Sequence, residues 1–142
     1  MTKSTIMPCL VYRDASAAID WLCRAFGFSK HLVVPGEAGA IAHAQLTFGD
    51  GMIMLGSGQG ELMREIAAFP KDIGGRQTQT PYIVVPDPDT HYATAVNAGA
   101  LVVRPIQEED YGGKGYSLKD PEGYIWHFGS YDPWQESELN PP

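Results

Sequence analysis

Two short stretches of the chain carry the side chains best suited to chemistry. A predicted strand that alternates apolar and polar residues places His43, Gln45 and Thr47 on its polar side. Residues 120–128 read Asp-Pro-Glu-Gly followed by an aromatic and β-branched run that contains His127, which predicts a tight turn and a strand. A histidine titrates near neutral pH and can donate or accept a hydrogen bond, so both histidines are candidates for binding or proton transfer.

Each of these candidates also has a purely structural interpretation. His127 could orient a ligand, or it could be a core histidine that is hydrogen-bonded to a neighbour. The face of His43 and Gln45 would be solvated in an open sheet, whereas it would line a cleft if helices covered the apolar face. The sequence contains no phosphate loop, no Cys-x-x-Cys pair and no His-Glu-x-x-His motif.

Sulfur-containing and aromatic side chains could complete a binding site. The sulfur-containing candidates are Met7, Cys9, Met52 and Met54. As a group they would form a polarisable wall that suits an apolar or aromatic ligand. Three aromatic residues could stack on a planar ligand or could equally pack in the core. The predicted ligand-binding residues are therefore His43, Gln45, Met54, Tyr82, Tyr116, Trp126 and His127.

The chain is predicted to contain two copies of one β-α-β-β-β unit. Asp14 and Asp87, the predicted N-caps of two helices, lie 73 residues apart. Gly27 and Gly99, which are predicted to end the same helices, lie 72 residues apart. The glycines that precede the last strand of each copy repeat this spacing. A period of this length indicates a duplicated half-domain rather than a short solenoid repeat.

These landmarks predict the organisation of the chain. The first unit is expected over residues 1–57 and the second over residues 80–134, within one compact domain. Residues 58–79 connect them, and residues 135–142 form a tail. The connection contains a helix-like piece, Glu61 to Phe69, and is either a mobile segment over a pocket or a plain surface linker.

Composition limits the classes of partner. The 142 residues are 44% hydrophobic and 19% charged, as expected for a soluble globular domain. A net charge of −7 argues against binding to nucleic acid or to anionic membranes. No apolar run approaches a membrane span and no signal-peptide pattern is present, which predicts a cytoplasmic protein. Cys9 and Cys23 are predicted to be buried free thiols.

Several segments in both halves resemble a known family. They are Asp14 with the helix residues Ala17, Ala18 and Trp21, the run Phe26-Gly27-Phe28, Asp87 with the helix that ends Asn97-Ala98-Gly99-Ala100, the Asp-Pro-Glu-Gly turn with Trp126, and the closing run Gly129 to Trp134. Together they are similar to the vicinal oxygen chelate superfamily, the group of glyoxalase I, bleomycin-resistance proteins and extradiol dioxygenases. The resemblance implies an α+β fold in which tandem β-α-β-β-β modules form a curved mixed-sheet cleft with helices outside. It also implies a homodimer.

The resemblance further implies where a catalytic metal would be held. The corresponding positions in this chain are Met7, Met54, Thr80 and His127. A thioether is a poor ligand for a hard or borderline divalent ion, and only His127 is a strong donor. The sequence therefore predicts no metal and no other cofactor.

Three functions follow from these residues. The preferred function is binding of a small aromatic or cationic compound without a metal, as in the bleomycin-resistance branch. The alternative is a divalent-metal lyase or dioxygenase of the glyoxalase type that uses His127 with His43 or Gln45. A third possibility is a metal-independent isomerase-like enzyme with one of the two histidines as proton carrier. No residue is assigned a catalytic role.

Overall fold

The protein is built from two similar units. The structure, a computed structural model that describes residues 3–138, contains two four-stranded mixed sheets and three α-helices over that range. An N-terminal unit ends at Arg76 and a C-terminal unit begins at Gln77. Each unit contains the order β-α-β-β-β, so the predicted α+β class and the predicted duplication are confirmed.

The N-terminal sheet has its first strand at one edge and its second at the other. The strands are β1 (Cys9–Val11), β2 (Ser29–Pro35), β3 (Ile41–Phe48) and β4 (Gly51–Gly56), and the helices are α1 (Ala15–Phe26) and α2 (Glu61–Ile66). The order across the sheet is β1-β4-β3-β2. β1 runs parallel to β4, and the other pairs are antiparallel.

The C-terminal sheet repeats this topology. Its strands are β5 (Tyr82–Val84), β6 (Leu101–Glu108), β7 (Lys114–Lys119) and β8 (Ile125–Gly129), and its helix is α3 (Pro88–Asn97). The order across the sheet is β5-β8-β7-β6. β5 is parallel to β8, as β1 is to β4. Among the described residues no helix is long and apolar enough to cross a bilayer.

The predicted caps begin the two long helices. The Asp14 carboxylate accepts a hydrogen bond from the Ala17 amide at 3.1 Å, and the Asp87 carboxylate accepts one from the Thr90 amide at 3.3 Å. Each therefore satisfies an amide that the first helical turn leaves without a partner. Gly27 ends α1 with a φ of 87°, a conformation that glycine adopts without steric cost.

The alternation predicted for β3 is present but is interrupted at its start. Ile41 is buried and Ala42 is exposed, whereas a regular strand would reverse that order. Val34 pairs with His43 and Pro35 pairs with Ile41, so Ala42 is an extra residue on β3. This β-bulge turns the methyl group of Ala42 away from the core and allows Ile41 to pack inside.

Other boundaries differ from those predicted. β6 continues to Glu108, well beyond the apolar run Leu101 to Val103 with which it begins. β6 is an edge strand, where Pro105 is tolerated because the ladder is incomplete on one side. The helix predicted over Glu61 to Phe69 ends at Ile66. Of the predicted tail, residues 139–142 lie outside the described part.

Candidate functional site

Equivalent rows of side chains cross the two sheets. In the C-terminal sheet, one residue from each strand is paired in register: Tyr82, His127, Ser117 and Arg104. In the N-terminal sheet the corresponding row is Cys9, Met54, Gln45 and Leu32. Each residue of the first row stands 72 or 73 positions after its counterpart in the second. The duplication therefore extends to the register of individual side chains.

His127 is held between two hydroxyl groups. Its Nδ1 lies 2.6 Å from Oγ of Ser117, and its Nε2 lies 3.0 Å from Oγ1 of Thr80. Burial lowers the pKa of His127, and the nearby positive charge of Arg104 lowers it further. A neutral imidazole donates with one nitrogen and accepts with the other, so it links the two hydroxyls in one chain of hydrogen bonds. Such a chain can relay a proton between buried Ser117 and exposed Thr80.

Tyr82 occupies the first position of the same row. Its hydroxyl donates a hydrogen bond of 2.7 Å to the carbonyl oxygen of Tyr131. The ring of Tyr131 makes an edge contact with Tyr111, at 5.0 Å between ring centroids. Burial, followed by the nearby Tyr111, raises the pKa of Tyr82 to about 12. Tyr82 is therefore a hydrogen-bond donor rather than a base at neutral pH.

An ion pair holds one residue of the acidic loop after β6. Arg104 donates two hydrogen bonds to the carboxylate of Glu109, at 2.9 and 3.1 Å. The hydroxyl of Tyr111 also donates to Glu109. These hydrogen bonds, first from Arg104 and then from Tyr111, lower the pKa of Glu109 to about 2. A Cβ at position 115 would lie 3.1 Å from the Glu109 carboxylate, so Gly115 gives this ion pair room above β7.

We expect Glu109→Gln to reduce the loss of stability at low pH. The pKa of Glu109 is lower in the folded protein than in the unfolded chain. The ionised carboxylate therefore contributes stability that is present above pH 4.5 and is lost as the pH falls towards 2. The Arg104 side chain is 38% exposed, so we expect an effect of only about 1 kcal/mol. Urea unfolding at several pH values between about 6 and 3 measures this effect. The exposed neighbour Glu108, changed to Gln, is the control, and equal slopes for both variants would contradict the expectation.

A cavity of 580 Å³ opens on the N-terminal unit. It lies where β3 begins and β4 ends, beside the chain that leaves β4. Its lining includes Cys9, His43, Met54, Gly56, Ser57 and Met63. Three of these residues contain sulfur, and the rest of the wall is largely aliphatic or backbone. A volume of this size falls in the range of small-molecule sites.

The segment after β4 is fastened over the edge of this cavity. The Ile41 amide donates to Oγ of Ser57 at 2.9 Å, and the Ser57 amide donates to the Ile41 carbonyl at 3.0 Å. Gly58 has a φ of +69°, and a Cβ at this position would lie 3.0 Å from Cβ of Val11. Only glycine allows the chain to pass this close to β1 in this conformation. The predicted connection therefore begins as part of the cavity wall.

Two of the predicted site residues form a pair beside the cavity. Nε2 of Gln45 lies 3.0 Å from Nε2 of His43, and both side chains are half-buried on the polar face of β3. Met54 lies opposite Gln45 on β4 and also lines the cavity. The structure thus brings together three of the residues predicted from sequence. Tyr82 and His127 belong to the other row, in the C-terminal unit.

Tyr116 and Trp126 are core residues, so the prediction that they contact a ligand is wrong. Both are fully buried. The Tyr116 hydroxyl lies 2.7 Å from Nδ1 of His91 on α3, and the Trp126 indole donates to Asp120 at 3.1 Å. Tyr116 precedes Ser117 on β7, so the alternation of a strand turns it to the opposite face. The centroid of the His91 ring lies 4.6 Å from that of Phe128, so His91 also packs against the core.

The burial predicted for one thiol was wrong, and several residues of the candidate site were not predicted. Cys9 was predicted to be buried, but its side chain is exposed at the cavity, and Cys23 is half-buried. Residues that were not predicted as site residues are Ser57, Met63, Arg104, Glu109 and Ser117. Strand alternation could have identified Ser117, because it lies across from His127. No pattern in the sequence marked Ser57 or Met63 as a site residue.

Comparison with known proteins places the chain in a family. The model of the Glyoxalase/Bleomycin resistance protein/Dioxygenase superfamily matches residues 5–128. The uncharacterised protein Rv0887c of Mycobacterium tuberculosis is 32% identical over 127 residues, which cover 89% of this chain and 74% of the relative. The crystal structure of TioX from Micromonospora sp. ML1 is 33% identical with a TM-score of 0.69, covering 89% of this chain and 97% of TioX.

A more distant structure shares the fold alone. The fosfomycin resistance protein FosX from Mesorhizobium loti is 14% identical with a TM-score of 0.62, covering 96% of this chain and 98% of FosX. The family match spans most of both units, and the relatives at 32% and 33% identity each cover 89% of this chain. The chain therefore belongs to the Glyoxalase/Bleomycin resistance protein/Dioxygenase superfamily.

Proposed function

We propose that this protein binds a small, planar aromatic or apolar compound in the cavity of its N-terminal unit, without a catalytic metal. The observation that carries the proposal is the cavity itself, 580 Å³ with a sulfur-rich wall and a histidine at one side. Thioether and thiol groups are polarisable and make favourable contacts with aromatic rings. The single histidine supplies the polar group that would orient such a ligand.

The residues at the family's metal-ligand positions do not fit a divalent ion. Met7 and Met54 offer thioethers, which bind hard or borderline ions weakly. Both ring nitrogens of His127 already face hydroxyl groups, and one of these is the hydroxyl of Thr80. In the described part of the chain, no three His, Cys, Asp or Glu side chains are grouped to hold a metal. The donor chemistry therefore favours metal-independent binding over a lyase or dioxygenase of the glyoxalase type.

Calorimetric titration with acetylnaphthalene tests the proposal. This probe has a planar aromatic surface and one carbonyl acceptor. We expect a dissociation constant of roughly 1–100 μM that does not change after treatment with EDTA. Elemental analysis of the same sample should show metal well below one equivalent. A flat titration would refute the binding site, whereas stoichiometric zinc, nickel or iron with EDTA-sensitive binding would favour the lyase or dioxygenase.

We further propose that the protein is a cytoplasmic homodimer. Supporting the dimer, each sheet exposes apolar residues on an edge strand: Leu32, Val33 and Val34 on β2, and Leu101, Val102 and Val103 on β6. Exposed apolar edge strands favour pairing with a second chain. Light scattering on the purified protein would show twice the mass of the chain if a second copy covers them.

A further inference from the structure

A neighbouring side chain, that of Gln45, determines the hydrogen-bonding role of the His43 ring. Two nitrogens, Nε2 of Gln45 and Nε2 of His43, lie 3.0 Å apart. An amide nitrogen donates hydrogen bonds and does not accept them. The imidazole Nε2 must therefore be the acceptor, and in the neutral ring the proton is on Nδ1.

Both side chains project from β3, a central strand of the sheet, and this fixes their positions relative to each other. β3 lies between β4 and β2, so its backbone is paired on both sides. Gln45 is opposite Met54 on one neighbouring strand and opposite Leu32 on the other. Residues two apart on a strand share a face, so Gln45 stands beside His43 and both are half-buried there. Nδ1 is then the N–H donor of the His43 ring, and His43 is one of the residues that line the cavity.

We infer that Gln45 makes the cavity selective for ligands that present a hydrogen-bond acceptor, such as a carbonyl oxygen or an aromatic ring nitrogen, to Nδ1 of His43. Gln45 is a positioning residue in this inference, because it acts through the tautomer of His43. The inference rests on the proposed function, since it assigns the chemical class of the compound that the cavity binds. A ligand of the same shape without an acceptor would leave the imidazole N–H without a partner, which costs affinity.

The test compares two ligands that differ in the acceptor alone. Acetylnaphthalene has a carbonyl, and ethylnaphthalene replaces it with an apolar group of similar shape. We expect the wild-type protein to prefer acetylnaphthalene by roughly three- to tenfold. His43→Leu should bring this ratio close to one. Gln45→Leu should lower the ratio, because neither tautomer of His43 is then enforced. His31→Leu, at an exposed position on β2, is the matched control and should keep the wild-type preference.

Nitrogen-15 NMR of the imidazole gives a second readout that does not depend on any ligand. We expect His43 of the wild-type protein to carry its proton on Nδ1 at a pH where the ring is neutral. In Gln45→Glu the carboxylate can only accept, so the proton should move to Nε2. A wild-type His43 with its proton on Nε2, or a tautomer unchanged in Gln45→Glu, would overturn the role of Gln45.

The outcomes separate this inference from the proposed function. If both compounds bind with equal affinity, the cavity is a binding site but the inferred selectivity is wrong. If the preference persists unchanged in Gln45→Leu, Gln45 does not set it. If neither compound binds, the proposed function and the inferred ligand class both fail, while the NMR result still decides whether Gln45 fixes the tautomer.

Discussion

Replacing Asp120 by alanine should destabilise the C-terminal unit by about 3–5 kcal/mol. Asp120 is 2% exposed, and its carboxylate organises the turn between β7 and β8. One oxygen accepts from the amides of Glu122 and Tyr124, both at 3.0 Å, and the other accepts from the Trp126 indole at 3.1 Å. Alanine would leave these donors without the carboxylate, in a site where water cannot easily replace it. Urea unfolding followed by tryptophan fluorescence measures the loss.

If Asp120→Ala does not fold, Asp120→Asn still tests how much the Asp120 carboxylate contributes to stability. Asp120→Asn retains one carbonyl oxygen for the turn amides but presents an NH₂ group to the indole donor. We expect an intermediate loss of about 1–3 kcal/mol. Asp110→Ala, at an exposed position, should change stability by no more than about 0.5 kcal/mol. Equal stability of Asp120→Asn and the wild type would show that the contact with Trp126 contributes nothing.

The fold was predictable because its signals are local and occur twice. The carboxylates of Asp14 and Asp87 accept hydrogen bonds from amides of their own helices. This capping does not depend on how the helix packs, so both helix starts could be predicted from the sequence. The near-constant spacing then fixes the order of the remaining strands in the second half. The register pairs of Cys9 with Met54 and of Tyr82 with His127 show how closely the two halves correspond.

The candidate site was predicted less completely because two kinds of information were missing. Residue type alone could not separate stacking aromatics from core aromatics, although alternation does so for one pair. If His127 lies on the polar face, its neighbour Trp126 must point the other way. By contrast, the ion pair of Arg104 with Glu109 depends on how the loop after β6 folds back. The exposure of Ala42 depends on a bulge that is set by the pairing of another strand.

That bulge provides the sharpest test of the cavity. Ala42 lines the cavity but is exposed, so a large side chain at this position can enter the site without displacing the core. We expect Ala42→Trp to weaken acetylnaphthalene binding by roughly thirtyfold or more, equivalent to about 2 kcal/mol. The physical reason is exclusion of volume, because the indole would occupy space that the naphthalene ring needs. Calorimetric titration measures the change in affinity.

The matched control places the same side chain elsewhere. Ala93 is exposed on α3 in the C-terminal unit, so Ala93→Trp should bind the probe as the wild type does. Circular dichroism and the urea midpoint should show that both variants keep the native fold, because neither alanine is buried. If Ala42→Trp bound acetylnaphthalene with unchanged affinity, the probe would occupy a different site. The row of Tyr82, His127, Ser117 and Arg104 would then be the next place to test, because its polar groups lie on one face of the C-terminal sheet.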